Sequence, residues 1–155
     1  MTTQSLITLF RPTGLRELEL IYQSGMRYFP PRLPEQPIFY PVMNQGYASQ
    51  IAREWNAPSA PDFIGFVLRF KIPSSFVAKY PIQTVGGKQH QELWVPAEEL
   101  EHFNRQIIEQ IEVIEVHQGT ACIVEINEET KMPKAWSLMD VRAGSSENSR
   151  EETPK

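Results

Sequence analysis

The sequence predicts an α+β fold. Three observations carry this: alternating apolar runs that read as strands, short apolar stripes at helical spacing, and no steady strand–helix alternation of the kind a doubly wound parallel sheet requires. The chain has 155 residues, 41% hydrophobic and 22% charged. That suits one domain with a packed core. The formal net charge is -4. A non-specific nucleic-acid coat needs a dense basic surface, so that class is excluded, while a nucleic-acid substrate held by a local patch is not.

The elements follow in order. Leu6 to Phe10 reads as a short buried strand. After Gly14, the spacing of Leu15, Leu18, Ile21 and Tyr22 predicts a helix through Ser24, with Gly25 as its left-handed C-cap. Five of the 13 prolines lie between Pro30 and Pro41. Each ring removes a backbone donor and clashes with a preceding helical turn, so this stretch is a stiff extended loop leading into a strand, Ile38 to Val42. Asn44 is placed to cap a helix on which Tyr47, Ile51 and Trp55 recur every four residues, beside Ala48 and Ala52.

Phe63 to Ile72 alternates cleanly. Ile64, Phe66, Leu68, Phe70 and Ile72 point one way, and Arg69 and Lys71 the other. A poorly patterned stretch from Tyr80 to Thr84 precedes the turn Gly86-Gly87. His90 to Val95 then reads as a strand with Glu92 and Trp94 on one face and Leu93 and Val95 on the other. Pro96 to Asn104 is a short helix with Glu98, Glu99 and Glu101 at its positive end and Asn104 as a cap. Ile107 to Val116 and Ala121 to Ile126 are expected to pair antiparallel around Gln118 to Thr120. The polar text from Arg142 onward reads as a disordered tail, so one domain, 1–141, precedes a tail, 142–155.

Several chemistries find no support in the residues. Cys122 is the single cysteine, and His90, His102 and His117 are too scattered for zinc-ligand spacing. No Gly-rich phosphate loop is present. No run approaches the ~20 apolar residues of a membrane span, and Met1 to Leu9 lacks the pattern of a signal peptide. The expected setting is cytoplasmic, with no membrane partner.

Three separated segments carry the chemistry. A strand ends in Leu9-Phe10-Arg11-Pro12-Thr13, a second strand with Phe39 and Tyr40 runs into the helix bearing Tyr47, and a Gly-rich turn delivers Glu92 onto a strand. In this order they resemble the ADP-ribosyltransferase superfamily. Leu6 to Val116 is also similar to small bacterial proteins labelled "ADP-ribosylation/crystallin J1". The hydrolase half of that label belongs to larger all-helical proteins, and this β-rich chain resembles the transferase half.

The resemblance implies split antiparallel β-sheets with short helices and a single domain over 1–141. It implies NAD as substrate, with ADP-ribose transferred to an acceptor that is a protein, a nucleic acid or a small molecule. Glu92 and Arg11 would be catalytic, and Arg11, Thr13, Tyr40 and Tyr47 would hold NAD. The residue types suit this. A fixed carboxylate stabilises the positive ribose carbon that develops as nicotinamide leaves. An arginine fork binds ribose or phosphate oxygens, and a tyrosine face stacks on a flat base. A non-catalytic nucleotide- or protein-binding module on the same fold is the alternative. Blander roles stand beside these: an ion pair for Arg11, core packing for Tyr47 and Tyr40, and a loop position for His90. Two positions depart from the family pattern. Pro12 stands where the family has a Gly whose backbone N–H and C=O clamp the nicotinamide amide. His90 stands where arginine-modifying members have Glu or Gln.

Overall fold

The computed structural model describes residues 5–136, and the tail expected from residue 142 lies outside them. Contacts group the chain into two compact units, Met1–Cys122 and Ile123–Lys155. The α+β class expected from the sequence is what the first unit shows. Its elements are β1 (Leu6–Thr13), α1 (Leu15–Gln23), β2 (Ile38–Phe39), α2 (Gln45–Ile51), a π-helical turn (Ala52–Asn56), β3 (Ile64–Pro73), α3 (Ser74–Val77), β4 (Ile82–Thr84), β5 (Gln91–Leu93), β6 (Val95–Pro96), a 3-10 turn (Ala97–Glu99), α4 (Leu100–Gln106) and β7 (Ile108–Gln118).

β3 is the centre. It pairs antiparallel with β1 on one side and β7 on the other. Ile64, Phe66, Leu68, Phe70 and Ile72 are all buried, as their alternation predicts, because this face meets the main core. Phe29, Phe39, Phe70 and Phe103 interlock there at ring separations of 4.8–6.0 Å. On the other face Val67 packs with Val42, Ala48 and Ala52. Gly65 lets the π-helical turn come down onto β3: a Cβ there would stand 2.6 Å from the Ala52 carbonyl oxygen and 2.6 Å from Asn56 Cβ.

β1 runs three residues past its expected end, through Pro12. The hydrogen-bond phase explains why. Phe10 exchanges both backbone bonds with Val42, so Phe10 and Pro12 turn their peptide groups away from β3, while Arg11 turns toward it. The missing Pro12 N–H therefore costs the β1–β3 ladder nothing. Val42 also bridges to Glu92, which joins the β4–β5 hairpin to the free edge of β1.

Other expectations are corrected. The strand expected over His90 to Val95 breaks at Trp94 into β5 and β6, and Ile38 to Val42 breaks likewise at Tyr40. Ile38↔Pro96, Phe39↔Val95 and Val42↔Glu92 nonetheless keep one register, so Tyr40 stands opposite Trp94 at the break. Gly25 is left-handed at φ 82°, and Gly25 N–H and Met26 N–H donate to Tyr22 and Ile21 to close α1 as expected. Asn44 caps α2 by accepting from Tyr47 N at 2.8 Å. Trp55, however, is 70% exposed rather than part of the apolar stripe. Ala57 N–H bonds Ala52 O five residues back, and the wider turn rotates Trp55 out and Asn56 in. Residues 121–126 form no strand. Gly119 N–H donates to Phe63 O, and a turn closes as Cys122 N–H donates to Gly119 O. In the second unit, Ile126 and Pro133 bridge around a turn organised by Asn127 Oδ1.

Asn104 is no cap. It is buried, and its amide accepts from Phe29 N and donates to Phe29 O, both at 2.9 Å, as a strand partner would. Asn104→Ala should lower stability by about 2–4 kcal/mol, because two bonds go and both Phe29 groups are stranded. Urea unfolding measures this, and a change within 0.5 kcal/mol would show that the pair carries no weight.

Candidate active site

The site begins with Pro12. In the register set by Phe10↔Val42, Pro12 faces Tyr40. An ordinary residue there would donate its N–H to the Tyr40 carbonyl and zip the two segments together. Pro12 has no N–H to give. Arg11 Nη1 reaches the Tyr40 carbonyl instead, at 3.3 Å. A cleft of about 250 Å³ opens at this point. Arg11, Pro12, Tyr40 and Val42 line one part of it, Ile51 and Asn56 another, and Glu92 completes the wall.

Glu92 is 8% exposed. Its Oε2 accepts from the Tyr47 hydroxyl at 2.8 Å, and its Oε1 from Trp94 Nε1 at 2.9 Å. One donor on each oxygen fixes the plane of the carboxylate. Both donors are neutral, so its negative charge is held without being cancelled. The sequence explains the grip. Alternation carried from Glu92 to the break after β5 leaves Trp94 on the same side as Glu92, and the Asn44 cap starts α2 three residues before Tyr47. Asn44 Nδ2 also donates to Gln89 O at 2.7 Å, so one side chain registers α2 against the approach to β5.

Tyr47 is thus a positioning residue for Glu92. One face of its ring is covered by His90, stacked at 4.4 Å and 10°, with His90 Nε2 3.2 Å from Gln50 Oε1. Burial, and then the hydrogen bond and charge of Glu92, push the Tyr47 hydroxyl up to about 12. The exposed aromatics beside the carboxylate are Tyr40 and Trp94, edge to face at 6.2 Å.

Arg11 and Glu92 share the cleft but come from opposite faces of the sheet. Directly paired residues share a face, so Phe10, Val42 and Glu92 lie together and Arg11 lies behind them. The Arg11 guanidinium is engaged there. Nε and Nη2 each meet a Glu17 oxygen at 2.9 Å, and Cζ sits 4.8 Å from the centre of the Phe39 ring. The fork expected to hold ribose or phosphate is filled by α1. Thr13 is a clearer correction. β1 continues through it, alternation turns it to the core, and at 2% exposure it does not reach the cleft. The sequence reasoning missed Glu17, whose one signal is an acid in the first turn after the Arg11 strand. It also missed Asn56, because nothing in the apolar spacing announces a π-helical turn.

A second polar cluster lies on β7. His117 Nε2 is 2.7 Å from Glu115 and 3.5 Å from Ser49 Oγ. Both contacts fall on the same nitrogen, so the ring cannot relay a proton from serine to acid as a hydrolase triad does. Burial works to raise the Glu115 carboxyl, but hydrogen bonds from Gln45, His117 and Ser49 and the His117 charge hold it below its ordinary range. Among the described residues no three His, Cys, Asp or Glu side chains gather as a metal site, and no helix is long and apolar enough to cross a membrane.

The raised Tyr47 hydroxyl has a testable consequence. A tyrosine whose folded pKa lies above the unfolded value of 10 stabilises the fold fully below pH 10. That contribution is lost as pH rises through about 12. Ultraviolet titration should show Tyr47 among the late-ionising tyrosines, together with Tyr80, which burial and then Glu99 also raise. Tyr47→Phe should remove one late-titrating group. A wild-type curve with every tyrosine ionising together near pH 10 would contradict the Glu92 grip.

No family model, curated protein or solved structure matches this chain.

Proposed function

We propose that the protein is an NAD-dependent ADP-ribosyltransferase. The observation that carries the proposal is the Glu92 carboxylate, gripped by Tyr47 and Trp94 in the wall of the cleft at Pro12. In the reaction, the bond from ribose C1′ to the nicotinamide nitrogen breaks and its electron pair goes to nicotinamide. The base leaves neutral, so no strong general acid is needed. The ribose carbon becomes cationic, and Glu92 stabilises it from a fixed position. The acceptor then bonds to C1′ and gives up its proton. A cleft of about 250 Å³ lies below the roughly 300–1,000 Å³ typical of sites for drug-sized ligands. It suits the nicotinamide–ribose end, with the remainder of NAD outside it. The exposed Tyr40 and Trp94 rings would offer the stacking surface that Tyr47, covered by His90, offers less well. Arg11 would act by holding the Tyr40 carbonyl and the end of β1.

The Arg11–Glu17 pair favours a second reading, a non-catalytic nucleotide-binding module, because it takes the proposed catalytic Arg11 out of the reaction and leaves the exposed Tyr40 and Trp94 rings as a stacking surface for a base. The two readings separate in one experiment. Protein incubated with NAD and a lysate of acceptors should release nicotinamide, measured by chromatography. Glu92→Gln, checked for an unchanged melting transition, should cut the rate about 10²-fold or more. NAD binding by calorimetry without release would select the binding module. Neither release nor binding would overturn both readings.

A further inference from the structure

The chain from Pro37 to Met43 has two hydrogen-bonding edges. The Pro37 and Pro41 carbonyls accept from Ala97 and Leu93 N–H, and Met43 N–H donates to Gln91 O. Odd-numbered residues therefore turn their peptide groups toward β5 and β6, and even-numbered ones turn away. The outward carbonyls need other donors. Val42 O takes the Phe10 N–H, Tyr40 O takes Arg11 Nη1, and Ile38 O takes Arg32 Nε at 3.0 Å. Successive outward carbonyls stand about 7 Å apart along an extended chain. The fold thus sets two guanidinium groups at neighbouring places on one edge. Arg11 Cζ lies 4.8 Å, and Arg32 Cζ 5.9 Å, from the centre of the same Phe39 ring.

The charges of this pair do not balance. Glu17 gives both of its oxygens to Arg11. Among the described residues no carboxylate lies within ion-pair distance of Arg32, and its Nη1 and Nη2 hold no hydrogen bond. Yet Arg32 is half-buried. Burial, and then the Arg11 charge, hold its guanidinium below the ordinary arginine range, with Glu17 and Tyr40 in partial opposition. A half-buried cation beside a second cation is unfavourable until an anion joins them. Its place is also fixed, because Nε is anchored to Ile38 and the loop around it carries Pro30, Pro31 and Pro34, whose φ angles have little freedom.

A guanidinium fork matches two oxygens of a carboxylate or a phosphate. The neighbouring cation decides between them. A carboxylate has two oxygens in one plane, and the fork uses both. A tetrahedral phosphoryl group fills the fork and keeps a further oxygen that can face Arg11. We infer that Arg32 anchors a binding site for a phosphate-type oxyanion on this edge, with Arg11 as its second cation and the exposed Tyr40 at its border. The inference goes beyond the transferase reading and stands without it, since it concerns a phosphate or diphosphate either free or carried by a nucleotide.

The probes are inorganic pyrophosphate, ADP and acetate, titrated into the full chain by calorimetry at constant ionic strength. Pyrophosphate should bind wild type roughly tenfold or more tighter than acetate. Arg32→Gln should weaken pyrophosphate by about the same factor, and Arg32→Lys, which keeps the charge but not the fork, should recover only part of the loss. Arg27→Gln, which removes an exposed cation before the Pro-rich loop, should leave the affinity nearly unchanged. Pyrophosphate should raise the melting temperature of wild type and not that of Arg32→Gln. If Arg32→Gln fails to fold without its bond to Ile38, the Arg32→Lys comparison carries the test. ADP binding tighter than pyrophosphate, with the gain lost in Tyr40→Ala, supports the site with a nucleotide as the source of the anion. ADP binding no tighter supports it with a free anion. No pyrophosphate binding to wild type, acetate binding as tightly, or equal losses in Arg27→Gln and Arg32→Gln overturns the inference. Nicotinamide release from NAD without pyrophosphate binding overturns it and leaves the transferase standing. Arg32-dependent pyrophosphate binding without NAD binding or release removes the transferase reading and leaves this site in place.

Discussion

Pro12 has no amide hydrogen, and it stands at the point of β1 where that hydrogen would have closed the sheet against Tyr40. Phe10 and Val42 exchange both of their backbone bonds one step earlier. With the next donor missing, the ladder stops, Arg11 takes over the Tyr40 carbonyl, and the cleft opens between them. The same proline leaves the β1–β3 ladder intact, because its peptide group faces the other edge. A substitution that restored the N–H would be free to extend the ladder into the space that the cleft occupies.

The opposite wall depends on how a buried carboxylate is kept. Burying Glu92 is costly unless its oxygens find donors, and the fold supplies one from α2 and one from its own strand. Asn44 connects the two sides, capping α2 with one atom and binding the loop before β5 with another. The geometry of the carboxylate is therefore tied to a helix start and a strand start at once. Arg11 is held in a comparable way behind the sheet, by Glu17 and the Phe39 ring. The two charged residues of the cleft are both pre-positioned, Glu92 by neutral donors and Arg11 by a full counter-charge. Only Glu92 remains an unmatched charge beside the open space.

Much of the fold was legible from local signals. Period-two alternation identified β3 and both of its faces, helical spacing identified α1, and Gly25 and Asn44 marked the helix ends they cap. The alternation that put Glu92 and Trp94 on one face anticipated a contact that the structure contains. The failures have a common cause. Trp55 was assigned to an apolar stripe because a regular 3.6-residue period was assumed, and the π-helical turn breaks that period. Asn104 looked like a cap because the partner that explains it, Phe29, lies 75 residues away. Residues 121–126 looked like a strand because nothing local reveals that Gly119 is pinned to Phe63.

The sequence by itself determined the α+β class, the central strand, the two capped helices and the identity of Glu92 as the carboxylate to watch, since each follows from periodicity or backbone chemistry within a few residues. Only the tertiary structure decided which groups meet. It gave Arg11 to Glu17, turned Thr13 into the core, covered one face of Tyr47 with His90 and brought Asn56 to the cleft. These outcomes depend on the hydrogen-bond phase of β1, on the register of two distant strands and on one glycine that lets a helix approach a sheet. Register and close approach are relations between segments far apart in the chain, and no window of sequence contains them.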